Sequence, residues 1–321
     1  MKAAVCERYG PPEVVQIREV PTPAPADREV LVKALATTVN SGDARLRALR
    51  VPRGLSLPVR LTSGVTKPRQ PVFGFEVAGR VEAVGAAVTS FQPGDRVVAS
   101  RGFDLGCHAE FVTVDEQGAI AKIPEDLSYQ DAVSLCFGGM TALDFFRRGK
   151  LASGETVLIN GASGAVGAMA VQLAKHTGAE VTAVCSAANA DLVTGLGADH
   201  VIDYAAEDFT RNGRRYDVIM DNHGNAPYAR VKGSLEPGGR FLMVIGDLWQ
   251  MLAGRRQKAV VGGTASISAD EYRTLMSLAE RGELKPVIDS VLPFAQIVEA
   301  HRRVDSGHKV GSVVLTFGAT P

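Results

Sequence analysis

Three evenly spaced glycines, Gly161-x-x-Gly164-x-x-Gly167 in "NGASGAVG", are the first residues from which chemistry can be read. A β-branched run, "ETVLIN", precedes them, and a stretch with helical spacing, "AVGAMAVQLAKHTG", follows. Gly161 would allow a sharp strand-to-helix turn, and Gly164 would let the backbone approach a diphosphate. Gly167 would let the helix pack closely on its sheet. The diphosphate would rest on N–H groups of Gly161, Ala162, Ser163, Gly164, Ala165, Val166 and Gly167, at the positive end of the helix. The spacing is a variant of the dinucleotide pattern and gains its weight from the strand and helix on either side.

The end of the next strand discriminates between dinucleotides. NAD-preferring sites usually place Asp or Glu there to bond the adenosine ribose. Here "AEVTAVCS" runs into "SAAN", with no acid to repel a 2′-phosphate. Ser186 and Asn189 can donate to that phosphate, and Tyr204 of "VIDYAAEDF" is a further contact. No Arg or Lys stands in the stretch, so charge neutralisation is weak. The balance favours NADPH. Capping of the following helix is the competing role for Ser186 and Asn189.

These residues need elements to hold them. The chain has 321 residues, zero net formal charge and 45% hydrophobic residues, which suits about two globular domains. A neutral balance argues against nucleic acid or an anionic membrane as partner. Four scattered cysteines without a CxxC pair and an N-terminus lacking an apolar leader predict a cytoplasmic protein with free thiols. Up to Ile123 the pattern is short strands such as "MKAAVCE", "EVLVKALATTV" and "DRVVAS", with "NSGDARLRAL" as a short helix capped by Ser41 or Asp43. Residues 50–71, rich in Pro, Arg and Lys, read as a long surface loop. Beyond "KIPEDLS" strands and helices alternate, which implies a parallel sheet covered on both faces. The final "GSVVLTF" fits the β-rich part better. The expectation is therefore a discontinuous first domain, 1–123 and 283–321, with a parallel-sheet domain, 124–282, inserted in it.

With these landmarks, together with "VNSGDARLR", "FGFEVAGRVEAVG", "FQPGDRV", "MTAL" and "LGADHVIDY", the chain resembles the medium-chain dehydrogenase/reductase superfamily, in its zinc-free quinone oxidoreductase branch. The resemblance covers nearly the whole chain. It implies an α/β fold, with a doubly wound Rossmann domain and a GroES-like β-rich domain, and an active site between them. It also implies cofactor contacts from Thr141, Ile245, Gly246, Lys309 and Gly311, and a homodimer joined through the edge strand "KAVVGGT"; Asn222 and His223, which follow a strand of that domain, should lie near the cofactor, His223 as a catalytic group or as a loop contact to ribose or water. Zinc-dependent relatives use Cys where this chain has Asn40 and His where it has Phe75, with a further Cys near Cys136. One thiolate is too few for a catalytic zinc, so no metal is expected. The activity implied is hydride transfer from NADPH to a quinone or an α,β-unsaturated carbonyl.

Catalytic candidates follow from the same segments. Asn40 could donate to the substrate oxygen or the nicotinamide ribose, or serve as a helix cap. Asp43 stands beside it and reads more as structural. His108, in "DLGCHAEF", could protonate an enolate or simply bond a backbone carbonyl. Related enoyl reductases carry a proton-donating Tyr after the "VNSGD" segment. "ARLRALRVPRG" has none, so water is an alternative proton source. Two rival readings stay open: a pathway-specific enoyl reductase of lipid or polyketide metabolism, and an NADPH-binding structural or regulatory protein with vestigial catalysis.

Overall fold

The computed structural model describes residues 1–254 and 257–318. Among them, no helix is long and apolar enough to cross a membrane. Strands β1 (Lys2–Cys6) and β2 (Val15–Glu19) form an antiparallel pair. The long β3 (Glu29–Val39) is the spine of a seven-stranded sheet. Helices α1 (Ser41–Ala48) and α2 (Ser56–Ser63) follow it. One edge of β3 pairs antiparallel with β4 (Glu76–Val84), which passes the sheet on to β5 (Arg96–Ser100) and β7 (Ala119–Lys122). The first half of its other edge takes β6 (Phe111–Asp115).

Helix α3 (Tyr129–Gly149) carries the chain into the second sheet. The Ser128 hydroxyl caps it by accepting from Asp131 N–H at 3.0 Å. Three glycines lie in this helix, each costing about 1 kcal/mol relative to alanine. Close packing explains them. A Cβ on Gly138 would sit 2.1 Å from Ala165 O, and one on Gly139 or Gly149 would meet Leu275 or Leu242 at 2.5 and 2.6 Å.

The second sheet is wholly parallel. It contains β8 (Thr156–Asn160), β9 (Glu180–Cys185), β10 (His200–Asp203), β11 (Tyr216–Asp221), β12 (Leu235–Met243) and β13 (Val260–Gly262), in the order β10-β9-β8-β11-β12-β13. Helices α4 (Ala165–Thr177), α5 (Ala190–Gly195), α6 (Tyr228–Val231), α7 (Leu248–Gly254) and α8 (Ala269–Glu280) lie between or after these strands. The chain builds outward from β8 to β10 and then returns to β11 on the other side. The order thus reverses between β8 and β11, leaving a crevice beyond their carboxyl ends, where open α/β sheets bind ligands.

The tail returns to the first sheet. Strand β14 (Ile288–Pro293) leads through helix α9 (Ile297–Asp305) to β15 (Ser312–Thr316), which lies parallel to β14. Strand β15 fills the second half of the free edge of β3, Val313 to Thr316 facing Val39 to Ala36.

Local differences from the sequence reading have physical causes. Residues 50–71 are not loop throughout, because α2 occupies Ser56–Ser63. Pro58 falls in its first turn, where a missing N–H costs nothing. Helix α1 is capped not by Ser41 or Asp43 but by Asn40, whose Oδ1 accepts from Gly42 and Asp43 N–H at 2.8 and 3.1 Å. Asp43 answers from the third position by accepting Asn40 N–H at 3.0 Å, completing a reciprocal capping box.

Candidate functional site

The glycine turn lies at the switch point. Gly161 has φ +79°, a conformation glycine adopts without steric cost, and its N–H and that of Ala162 both donate to Val184 O. A Cβ on Gly167 would stand 2.1 Å from Gly161 O, so the first turn of α4 is pressed onto the loop. Gly164 is the opposite case: the only nearby atom its Cβ would meet is Gly161 O at 3.6 Å, and beyond it is open space. The first backbone bond of α4 is Ala168 N–H to Gly164 O. The amides of Ala165, Val166 and Gly167 precede it and are not used by the helix itself. No acid stands in that first turn. Together these features form an anion cradle that fits a dinucleotide diphosphate.

Neighbouring loops converge on the cradle. Cβ atoms of Asn222 and His223, after β11, lie 3.7 Å from the position a Gly161 Cβ would take. Asp221 builds that loop, accepting N–H from His223, Gly224 and Ala226 while its Oδ1 takes a bond from Asn160. The loop after β12 joins through Ile245, whose Cγ2 lies 2.8 Å from the Cβ position of Gly224; Gly246 follows, packed on Met243. Asn222 is half-buried with its amide atoms shielded from solvent and, among the described residues, neither its Oδ1 nor its Nδ2 has a partner. From the other domain Gly311 N–H donates to Ser163 O at 2.9 Å. Gly311 has φ +70°, and its Cβ position is 2.1 Å from Val287 O. Lys309 folds over this segment, its Nζ 2.6 Å from Gly311 O, and burial pushes its pKa down to about 8. Ten of the expected cofactor residues, Gly161 to Gly167, Asn222, Lys309 and Gly311, thus surround one cradle, with Ile245 and the exposed His223 at its side.

Beyond β9, Asn189 Nδ2 donates to Ser163 Oγ at 3.0 Å, tying the end of β9 to the cradle. Tyr204 N–H bonds Cys185 O, which places Tyr204 beside Ser186, with its side chain exposed. One neighbour was not singled out from sequence. Asp203 stands in register with Cys185 on β10, half-buried, and its Oδ1 accepts Ala205 N–H. Only strand pairing brings it there.

The segments around Asn40 and Phe75 form a different lining. The Phe75 ring packs edge-on against Phe103 and Phe137, at 5.7 and 6.0 Å between centroids. It also covers Gly42, where a Cβ would meet it at 3.1 Å and Asn40 Oδ1 at 2.9 Å. Thr141, one turn beyond Phe137, donates its hydroxyl to Phe137 O. Asn40 is 4% exposed, and its Nδ2 has no partner among the described residues. Asp43 is fully buried. Burial pushes its carboxyl above the usual range, opposed by the nearby His108 and by N–H bonds from Asn40 and Gly74. His108 is 1% exposed; its Nε2 lies 2.8 Å from Thr38 O and 4.0 Å from Asp43 Oδ2. Glu76 is buried beside it, pushed up to about 8 by desolvation against a bond from the Thr38 hydroxyl. Among the described residues, no group of three or more His, Cys, Asp or Glu is placed to hold a metal ion.

Comparison with known proteins agrees with this layout. Residues 26–125 match the family description "Alcohol dehydrogenase GroES-like domain", and residues 196–315 match "Zinc-binding dehydrogenase". A chloroplastic quinone oxidoreductase of Triphysaria versicolor is 32% identical over 319 residues, covering 92% of each chain. A chloroplastic NADPH-dependent alkenal/one oxidoreductase of Arabidopsis thaliana is 29% identical over 98% of this chain and 79% of its own. The structure of the quinone oxidoreductase from Coxiella burnetii superposes with a TM-score of 0.87, at 27% identity over 98% of this chain and 99% of that one. The chain therefore belongs to the medium-chain dehydrogenase/reductase superfamily, in its quinone oxidoreductase-like branch, a family of NAD(P)H-binding oxidoreductases.

Proposed function

We propose that this protein is an NADPH-dependent, zinc-independent reductase that passes hydride to a quinone or an α,β-unsaturated carbonyl. The observation that carries the reading is the pairing of an open anion cradle with a β9 terminus that ends in Ser186 and Asn189 rather than in an acid. NADPH supplies the hydride. The residues of this chain bind and orient: the amides after Gly164 receive the diphosphate, and Ser186, Asn189 and Tyr204 receive the adenosine 2′-phosphate. Thr141, Asn222, His223, Ile245 and Gly246 frame the nicotinamide side.

Asn40 and Phe75 occupy the positions of two zinc ligands in metal-dependent relatives, and neither is a zinc ligand. Without a Lewis acid, an acceptor that takes hydride at carbon while charge moves to oxygen fits best. The Phe75, Phe103 and Phe137 rings, packed edge to face, offer that acceptor an apolar lining, and Asn40 Nδ2 is the donor assigned to its oxygen. His108 holds Asp43 and the Thr38 backbone from behind, and water protonates the product. NADPH oxidation against a panel of quinones and enones tests this; binding of NADPH without turnover of any member would refute it and favour a regulatory role.

Asp203 gives a second reading some support, since a carboxylate beside Cys185 could bond an unphosphorylated ribose. NADH would then bind as tightly as NADPH. We also assign a cytoplasmic location and a homodimer that continues the sheet past β13, its edge strand. Light scattering at the mass of one chain would refute the dimer.

A further inference from the structure

Behind the capping box lies a polar cluster that the reaction does not use. His108 and His301 meet edge-on, with ring centroids 6.1 Å apart and planes at 80°. Arg47 from α1 reaches the same place; it and both histidines are at most 1% exposed. Arg47 spends its terminal nitrogens on Gly10 O and Asp305, and Arg50 reaches the other oxygen of Asp305. Thr38 O can only accept, so His108 Nε2 carries a hydrogen, and in the neutral tautomer that this bond selects Nδ1 is the acceptor. That Nδ1 has no partner among the described residues; neither do Nδ1 and Nε2 of His301, nor Nε of Arg47.

These four orphans are complementary. Burial above all, with the Arg47 guanidinium adding to it, holds His301 well below the usual imidazole range, so its ring is neutral, with one donor and one acceptor. Arg47 Nε–H is a second donor and His108 Nδ1 a second acceptor. None of them is hydrogen-bonded to another, yet buried polar groups in native proteins are almost always satisfied by protein or ordered water. A water can bridge three of these groups, accepting from Arg47 Nε–H and from the His301 N–H while donating to His108 Nδ1; the other His301 nitrogen points away on the far side of its ring.

We propose that at least one ordered water is bound between His108, His301 and Arg47, linking the donors of Arg47 and His301 to His108 Nδ1. The water fixes the tautomer and tilt of His108, and His108 in turn backs Asp43, whose carboxylate accepts Asn40 N–H and Gly74 N–H. His301 is thus a positioning residue for the cap that carries Asn40, although it lies on α9, far along the chain. Other charged or titratable groups nearby are Asp43 on α1, Asp305 on α9, Cys6 on β1 and Glu76 on β4.

The kinetic half of this inference rests on the proposed activity; the water itself does not. In the unmodified protein, nitrogen NMR of the imidazoles should show His108 as the Nε2–H tautomer, with its Nδ1 shifted as a hydrogen-bond acceptor. A protonated Nδ1, or a free lone-pair shift at that atom, would overturn the water. Oxygen-17 relaxation dispersion should count at least one long-lived water fewer in His301→Phe, which keeps a ring and removes its nitrogens; an equal count would also overturn it. In His301→Phe, kcat with a quinone or enone should fall about tenfold while the NADPH Kd stays unchanged. His301→Asn should recover most of the loss. Unchanged kcat in His301→Phe, or equal loss in both variants, would leave His301 as packing only and sink its positioning role.

Discussion

Gly164→Ala and Gly167→Ala separate binding from folding at two positions three residues apart. At Gly164 the backbone has φ −74° and ψ 172°, which alanine tolerates, and the new methyl would meet only Gly161 O, at 3.6 Å. Stability should change by less than about 1 kcal/mol, with a small gain from the stiffer unfolded chain. The methyl would, however, stand in the space where the diphosphate meets the α4 amides. Losing one or two charge-assisted bonds, at about 1.5–3 kcal/mol each, weakens NADPH binding by roughly 10- to 20,000-fold. At Gly167 the methyl would lie 2.1 Å from Gly161 O and 2.7 Å from Ala162 Cα, both backbone atoms that cannot swing aside. The helix must back away, at a cost of about 1–3 kcal/mol typical of overpacking, seen as a lower melting temperature. Thermal denaturation and NADPH fluorescence titration measure the two quantities. An unchanged NADPH Kd in a fully folded Gly164→Ala protein would refute the cradle.

Removing both donors at the end of β9, in Ser186→Ala with Asn189→Ala, should lower kcat/KM for NADPH about tenfold and leave NADH unaffected; parallel losses would point to capping instead. Glu76 holds a proton up to about pH 8 in the folded state but releases it near 4.5 when unfolded. Its folded pKa is raised, so stability should fall as pH rises from about 5 to 8, by up to about 1 kcal/mol per pH unit, and then level off. In Glu76→Gln that slope should vanish from a pH series of melting curves. Lys309 is charged below about pH 8, so NADPH affinity should be flat below that pH and weaken above it. Lys309→Met should bind more weakly and without that pH dependence, measured by titration calorimetry.

The sequence revealed most where a local rule decides. Alternating runs after Lys122 predict the parallel sheet, and "ETVLINGASGAVG" places the turn at its crevice because strand, glycines and helix are contiguous. Long-range pairing was less visible. Asp203 lies eighteen residues beyond Cys185, and only the register of β10 on β9 sets it beside the adenosine end. Helix α9 buries Ile297, Ala300, His301 and Val304 on one face, but it spans only nine residues and runs close before the stronger strand signal of "GSVVLTF". Within 50–71, α2 is a two-turn helix whose single apolar pair at helical spacing, Leu57 and Leu61, is exposed and set among Pro, Arg and Lys, too short a repeat to mark a helix. Asn40 and Asp43 were legible as candidates but not as a mutual cap, which depends on the exact first turn.

The central claim is hydride transfer from NADPH to a conjugated acceptor without a metal. The direct measurement is the steady-state rate of NADPH oxidation by chelator-treated protein with a quinone and with an enone. The account predicts turnover of at least one acceptor, unaffected by chelation and faster with NADPH than with NADH. Activity that appears only when zinc is restored, or no turnover by protein that binds NADPH, would contradict it.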